Sequence, residues 1–185
     1  MFEVKALAPA LADDYFALFD AAFPDNQDWS GCYCLFYHSP EAPWPGPEAA
    51  TAHRAARVEQ IAHGGAPGYL AYRDGRPVGW LNAGPREAYG NLRGYPDGDA
   101  GEAVVMCFVV APQERGKGVA SGLLDFALGD LAQRGLAVVE AYPRLGPAGE
   151  LAWTVASYKG PLSMYLNRGF ELVERGGIQV ARRRL

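Results

Sequence analysis

The run Val110-Ala111-Pro112-Gln113-Glu114-Arg115-Gly116-Lys117-Gly118-Val119-Ala120 has the residue types of an anion cradle. An apolar stretch precedes it and apolar residues at helical spacing follow, so it falls where a strand hands over to a helix. A helix N-terminus presents unpaired N–H groups and a partial positive charge, which together bind phosphate. Gly116 and Gly118 lack a Cβ, so the backbone can approach an anion closely. Arg115 and Lys117 add cations at the rim. Over Gly116-x-Gly118 alone, a plain tight β-α turn reads the same way. A nucleoside-triphosphate loop needs Gly-x4-Gly-Lys-Ser/Thr, but Ala111 stands at its first Gly and Gly118 at its hydroxyl. The dinucleotide pattern Gly-x-Gly-x-x-Gly, with an acid about 20 residues on, finds Glu140 at a suitable distance. Ser121 stands at its third Gly, however, and Ala111 to Arg115 is too long for the turn.

These residues need elements to hold them. Ala103 to Val110 is almost wholly apolar and predicts a strand buried on both faces. Val119, Leu123, Leu124, Ala127, Leu128 and Leu131 predict a helix with one broad apolar face, ended by Gly135. Leu136 to Ala141 predicts a second buried strand, making a parallel β-α-β unit. Upstream, Phe2 to Leu7 predicts a strand, and the stretch from Pro9 to Pro24 a helix. A second helix is expected from Pro47 to His63, where Gly64-Gly65 stops it. Gly68 to Arg73 and Val78 to Ala83 form a hairpin around Asp74-Gly75. Gly84 to Gly101 reads as a loop. A short helix is expected over Leu162 to Asn167, then strands Phe170 to Glu174 and Ile178 to Arg182.

With 185 residues, 49% hydrophobic and 21% charged, the chain fits one domain, 1–185, with an ordinary soluble core. No apolar run is long enough for a membrane span, and the first residues lack a signal-peptide pattern. The expected location is the cytoplasm. A net charge of −4 argues against nucleic acid as the main partner. Cys32-Tyr33-Cys34 with His38 invites a metal reading. C-x-C spacing is tight for zinc and lacks a second ligand pair, so packing cysteines and no metal are expected.

Gln113-x-x-Gly116-x-Gly118, approached by Val110-Ala111-Pro112 and followed at distance by Met164-Tyr165-x-x-x-Gly169-Phe170, resembles the signature of the GNAT (Gcn5-related N-acetyltransferase) superfamily. The resemblance covers the order of elements along the chain, with residue-level motifs confined to about 103 to 174. It implies an α/β (α+β) fold with a mixed, mostly antiparallel sheet, a splayed parallel strand pair and flanking helices. It implies an acyl-CoA-dependent N-acyltransferase, with acetyl-CoA as cofactor and a small-molecule amine as acceptor. A protein or peptide acetyltransferase and a non-catalytic acyl-CoA sensor stay open, as does a homodimer. Pantetheine would bond the backbone of Phe108 and Val110. The pyrophosphate would take N–H groups from Arg115, Gly116, Lys117, Gly118, Val119 and Ala120, behind Gln113. The backbone N–H of Val109 or Val110 would meet the thioester oxygen, and Tyr165 occupies the position of the acid that protonates the leaving thiolate. Glu102 and Glu140 are candidate bases, with a water relay as the alternative.

In this fold the segment between the first two helices roofs the acceptor site. Here that segment is rich in Pro and aromatics, so Trp29 and Phe36 are candidate acceptor contacts, and a covered site favours a small acceptor over a protein. Asn82 and Arg86, flanking Gly84-Pro85, are candidates for a polar acceptor group or else lie at the surface. Arg182-Arg183-Arg184 reads as a solvated edge.

Overall fold

The structure, a computed structural model, describes residues 2–22, 31–44, 46–143, 145 and 157–185. Seven strands form one mixed sheet: β1 (Glu3–Ala6), β2 (Tyr69–Arg73), β3 (Arg76–Pro85), β4 (Glu102–Val110), β5 (Val138–Ala141), β6 (Glu171–Arg175) and β7 (Ile178–Arg184). Their order is β1-β2-β3-β4-β5-β7-β6. Every neighbouring pair is antiparallel except β4–β5, which is parallel because a helix crosses between them. The helices are α1 (Ala12–Ala21), α2 (Ala50–Ala62), α3 (Val119–Gln133) and α4 (Leu162–Leu166).

The expected elements are present, with shifted ends. The second helix begins at Ala50 rather than Pro47, since 47–49 form a turn. The expected loop from Gly84 starts later, because β3 runs on to Pro85 and a 3-10 turn, Arg86–Ala88, follows. Asp74 and Gly75 have φ of 50° and 73°, the left-handed pair a two-residue hairpin needs.

β3 sits mid-sheet and is covered on both faces, by α3 on one and α1 on the other. The α3 side holds Leu81, Val105, Phe108, Leu123, Leu124 and Tyr165. The α1 side packs Tyr15, Phe16, Phe19 and Tyr33 around Trp80. Trp80 is fully buried, with Tyr15 edge-on at 4.9 Å. A third cluster, with Val104, Met106, Tyr89, Tyr142 and Val180, lies where β4 meets β5.

The β4–β5 seam is short. Glu102 to Val105 pair with Val138 to Ala141 and pairing stops there. On its other side β4 pairs with β3, and the register slips between Asn82 and Ala83, leaving Met106 as an extra residue. A bulge bends its strand. Beyond it, the β5-facing edge of residues 106–110 has no strand partner among the described residues. The sheet thus opens into a V, and along one arm β4 runs on without a strand neighbour on that side.

Candidate active site

The cradle lies at the open end of β4. Pro112–Glu114 makes a 3-10 turn, and α3 begins at Val119 with Gly118 as its N-cap. Gly116 and Gly118 adopt φ of +75° and +82°, and a Cβ at either would meet nothing within 4 Å. No side chain caps the helix. Among the described residues, the N–H groups of Gly116, Gly118, Val119, Ala120 and Ser121 take no backbone acceptor. Donors without a backbone acceptor, beside open space at a helix N-terminus, fit an anion such as a pyrophosphate.

The rim is organised from within. Arg115 Nε donates to the Val110 carbonyl at 3.1 Å, tying the loop to the end of β4. Lys117 is exposed and pairs with Glu114 at 3.4 Å, while Glu114 also pairs with Arg73 at 2.9 Å. Gln113 is exposed on the 3-10 turn. Phe108 faces the α3 side of the sheet and Val109 the α1 side.

Tyr165 is fully buried on α4, stacked edge-on to Phe170 at 5.2 Å. Its hydroxyl donates to the Lys159 carbonyl at 2.6 Å. Burial raises its pKa well above that of a free phenol, with the neighbouring Cys107 acting in the same direction, so it keeps its proton at neutral pH. The turn carrying Lys159, Ser157–Lys159, packs against β4.

Glu102 and Glu140 come together, but with three arginines. Arg182 reaches Glu102 at 2.6 Å and Glu140 at 2.5 Å. Arg86 reaches Glu140 at 2.6 Å and Glu102 at 3.3 Å, and Arg175 pairs with Glu140. Glu140 is fully buried and Glu102 nearly so. Arg182 therefore faces inward: it stands directly opposite Glu140 in the β5–β7 register. The run 182–184 is no plain solvated edge, since alternate strand residues face opposite sides. At about 3.3 Å per residue, Glu102 starts β4 roughly 13 Å before the bulge at Met106.

Asn82 is fully buried too. Its amide meets His38 Nε2 at 3.0 Å and the Tyr89 hydroxyl at 3.0 Å, and His38 Nδ1 meets the Ala88 carbonyl at 2.9 Å. Burial, then the charge of Arg57, pushes His38 down to about 3. Arg57 is itself fully buried, holding the Tyr33 and Cys34 carbonyls at 3.0 and 3.1 Å. Those two residues have positive φ, 43° and 46°, and the guanidinium secures that turn. Arg57 stands in step with His53 and Ile61 on the buried face of α2, a spacing visible in the sequence. Phe36 is half-buried, packed on Tyr37 and on the exposed Trp44. Trp29 lies outside the described residues. Cys32, Cys34 and Cys107 are buried free thiols, and the described residues hold no cluster able to bind a metal ion. Nor is any helix among them long and apolar enough to cross a membrane.

A sheet that parts beside a glycine-framed helix N-terminus suits a cofactor that carries phosphates. The family model described as "Acetyltransferase (GNAT) family" matches residues 14–146, and the chain belongs to that family. No protein of curated function matches the sequence. Among solved structures, the fold is similar to the PaiA N-acetyltransferase of Thermoplasma acidophilum in complex with coenzyme A: TM-score 0.56, 11% identity, covering 100% of this chain and 99% of that one. It is similar to the phosphinothricin acetyltransferase of Sinorhizobium meliloti in complex with acetyl-CoA, with TM-score 0.56, 18% identity, and coverage of 100% and 88%. It is also similar to the ribosomal-protein-alanine N-acetyltransferase of Brucella melitensis, with TM-score 0.54, 18% identity, and coverage of 99% of each chain. At these identities the likeness carries the fold.

Proposed function

We propose that the protein is an acetyl-CoA-dependent N-acetyltransferase acting on a small-molecule amine. The observation that carries this is the loop 113–120. Its glycines are left-handed beside open space, and N–H groups at the start of α3 have neither a backbone acceptor among the described residues nor a side-chain cap. Gly116 to Ala120 would hold the pyrophosphate, and the edge of β4 over 106–110, which has no strand partner among the described residues, would bond pantetheine. Coenzyme A seen bound in two of the similar structures supports the same cofactor here.

Bound acetyl-CoA would supply a thioester: transfer forms a carbon–nitrogen bond, breaks the carbon–sulfur bond, and leaves a thiolate needing a proton as the acceptor nitrogen gives one up. Of Val109 and Val110, the N–H of Val110 is the donor to the carbonyl oxygen, because Ala111 donates to the Val78 carbonyl and the alternating ladder turns the Val109 N–H toward β3 as well. Tyr165 is the acid that the family position assigns: it lies beside β4, and its hydroxyl proton, held by the Lys159 carbonyl, would turn to the thiolate as that forms. For Glu102 and Glu140 we favour a structural part, because their oxygens are committed to Arg86, Arg175 and Arg182. The segment 31–44 folds over the β4 face, with Tyr33 and Cys34 in the core. Such a cover suits a small acceptor better than a protein chain.

Calorimetry with coenzyme A is the test. The native protein should bind, and Gly118→Glu, which places a carboxylate and a strained φ in the cradle, should lose at least about tenfold in affinity, or about 1.4 kcal/mol. A folded Gly118→Glu protein with unchanged affinity would put the cofactor elsewhere. Thiol release with a panel of amines and of short peptides then separates a small-molecule acceptor from a protein one. Coenzyme A binding without thiol release from any acceptor would favour a sensor.

A further inference from the structure

The chain has seventeen basic residues, and only Lys5, Lys117 and Lys159 are lysines. Lys5 and Lys117 are surface groups paired with Glu3 and Glu114. Lys159 is different. Its ammonium lies over the rings of Tyr37 at 4.5 Å, Tyr95 at 4.8 Å, Tyr158 at 5.4 Å and Tyr142 at 5.5 Å. It donates to the Tyr95 hydroxyl at 2.9 Å, and among the described residues no carboxylate pairs with it. Ring faces are negative, so four of them around one point form a receptor for an organic cation. A lysine chosen over arginine is a compact ammonium on a flexible stem, the form a simple alkylamine also takes.

The cage rings come from separate segments: 31–44, the loop before β4, the residue after β5, and the turn before α4. Tyr37, Tyr95 and Tyr158 hydroxyls are 3.4 and 3.5 Å apart along the rim, and Tyr95 packs on Tyr142 at 4.4 Å. Tyr142 directly follows the last β5 residue paired to β4, so the cage stands where the sheet parts. Tyr37, Tyr95 and Tyr142 belong to the cluster around Met106, the bulge residue, and Tyr158 packs against the α1-side core. Tyr165 is linked to the cage through one residue, since its hydroxyl is bonded to the Lys159 carbonyl.

We propose that Tyr37, Tyr95, Tyr142 and Tyr158 form the subsite for the acceptor nitrogen, that they select acceptors arriving as alkylammonium ions, and that Lys159 occupies this subsite until an acceptor displaces it. This rests on the acyl-transfer reading above. The subsite also addresses how the acceptor becomes neutral. Desolvation lowers the pKa of the Lys159 ammonium, and an acceptor ammonium in the same place is subject to the same effect, which eases transfer of its proton to solvent water without a dedicated carboxylate.

The probes are butylammonium, its neutral counterpart butanol, and tetramethylammonium, which cannot be acylated. Binding to Lys159→Ala is measured by calorimetry, with and without coenzyme A. Emptying the cage should raise butylammonium and tetramethylammonium affinity at least tenfold over the native protein, and leave butanol unchanged. Replacing Tyr95 by Leu in that background should reverse most of the gain. Equal affinity for butanol and butylammonium, or no gain in a folded Lys159→Ala protein, overturns the proposal. Should Lys159→Ala not fold, the native protein supplies the test. Thiol release from acetyl-CoA should be supported by butylamine and inhibited competitively by tetramethylammonium, and non-competitive or absent inhibition overturns the proposal. Coenzyme A affinity of the native protein, measured alone, tests the acyl-transfer reading separately, because the cation probes report on the cage even if coenzyme A fails to bind.

Discussion

Tyr165 carries two loads that one substitution separates. Its ring fills core between α4 and the sheet, and its hydroxyl binds the Lys159 carbonyl. Tyr165→Phe keeps the ring and removes the hydroxyl. If the phenol protonates the leaving thiolate, kcat should fall by about 10²–10⁴-fold, as expected for loss of a general acid, while coenzyme A affinity changes little. The deficit should shrink with thioesters of more acidic thiols, which need less protonation. The measurement requires a chemistry-limited rate, because slow product release hides such effects. A hydroxyl that only ties down Lys159 would give another result: near-native kcat and a stability loss of about 1–3 kcal/mol for the unmatched carbonyl. At this scale the sequence named Tyr165 through its spacing to Gly169-Phe170 and named the cradle through its glycines. It did not single out Lys159 or its tyrosines, because four rings from four separate segments have no common spacing. The scarcity of lysine was the one available signal.

At the scale of elements, hydrophobic period and turn chemistry placed nearly every strand and helix. The buried run of β4, the apolar stripe of α3 and Asp74-Gly75 each act locally, so a local pattern reveals them. The bulge at Met106 was not legible, since it depends on register against β3 rather than on β4's own residues. The segment 31–44 was legible as a cover rich in aromatics, but its anchors were not. They are His38, bonded to Ala88 and Asn82, and Arg57, bonded to two carbonyls in left-handed backbone. Asn82 is consumed in that anchor. His38 makes the anchor sensitive to acid. Its folded pKa, about 3, lies below the ordinary imidazole value, so between these values the unfolded chain binds the extra proton. The stability His38 contributes is complete above the unfolded value and is lost as pH falls toward the folded one. From about pH 6 to about pH 4, the native protein should lose about 1.4 kcal/mol per pH unit more than His38→Gln does. Urea titrations of both proteins across that range check it, and parallel curves would mean that His38 is charged in the folded state.

Taken whole, the molecule is two sheet halves, β1 to β4 and β5 to β7, joined by a parallel seam four residues long. So short a seam leaves room for the V, and it needs reinforcement at the closed end. Glu102 and Glu140 supply it, with Arg86 reaching in from beyond β3, Arg182 from β7 and Arg175 from the end of β6. Gly98 packs so closely over Arg86 and Glu102 that a side chain there would collide with both. Three guanidiniums facing two carboxylates leave the site cationic, and removing one carboxylate exposes the remaining charges to each other with little water to screen them. Glu140→Gln should therefore cost about 3–5 kcal/mol, the usual result of breaking a buried ion pair from one side. The urea midpoint should fall with the slope unchanged. Raising ionic strength to about 0.5 M should close little of the gap, because buried charges are weakly screened. The same variant tests the division of labour at the active site. With Glu140 as a strut, protein that remains folded at low temperature keeps kcat within a few-fold of native. With Glu140 also deprotonating the acceptor, kcat drops by about 10²-fold or more beside the same stability loss. Measured together, urea midpoint and kcat decide between them, since only loss of a base lowers kcat that far in protein that remains folded.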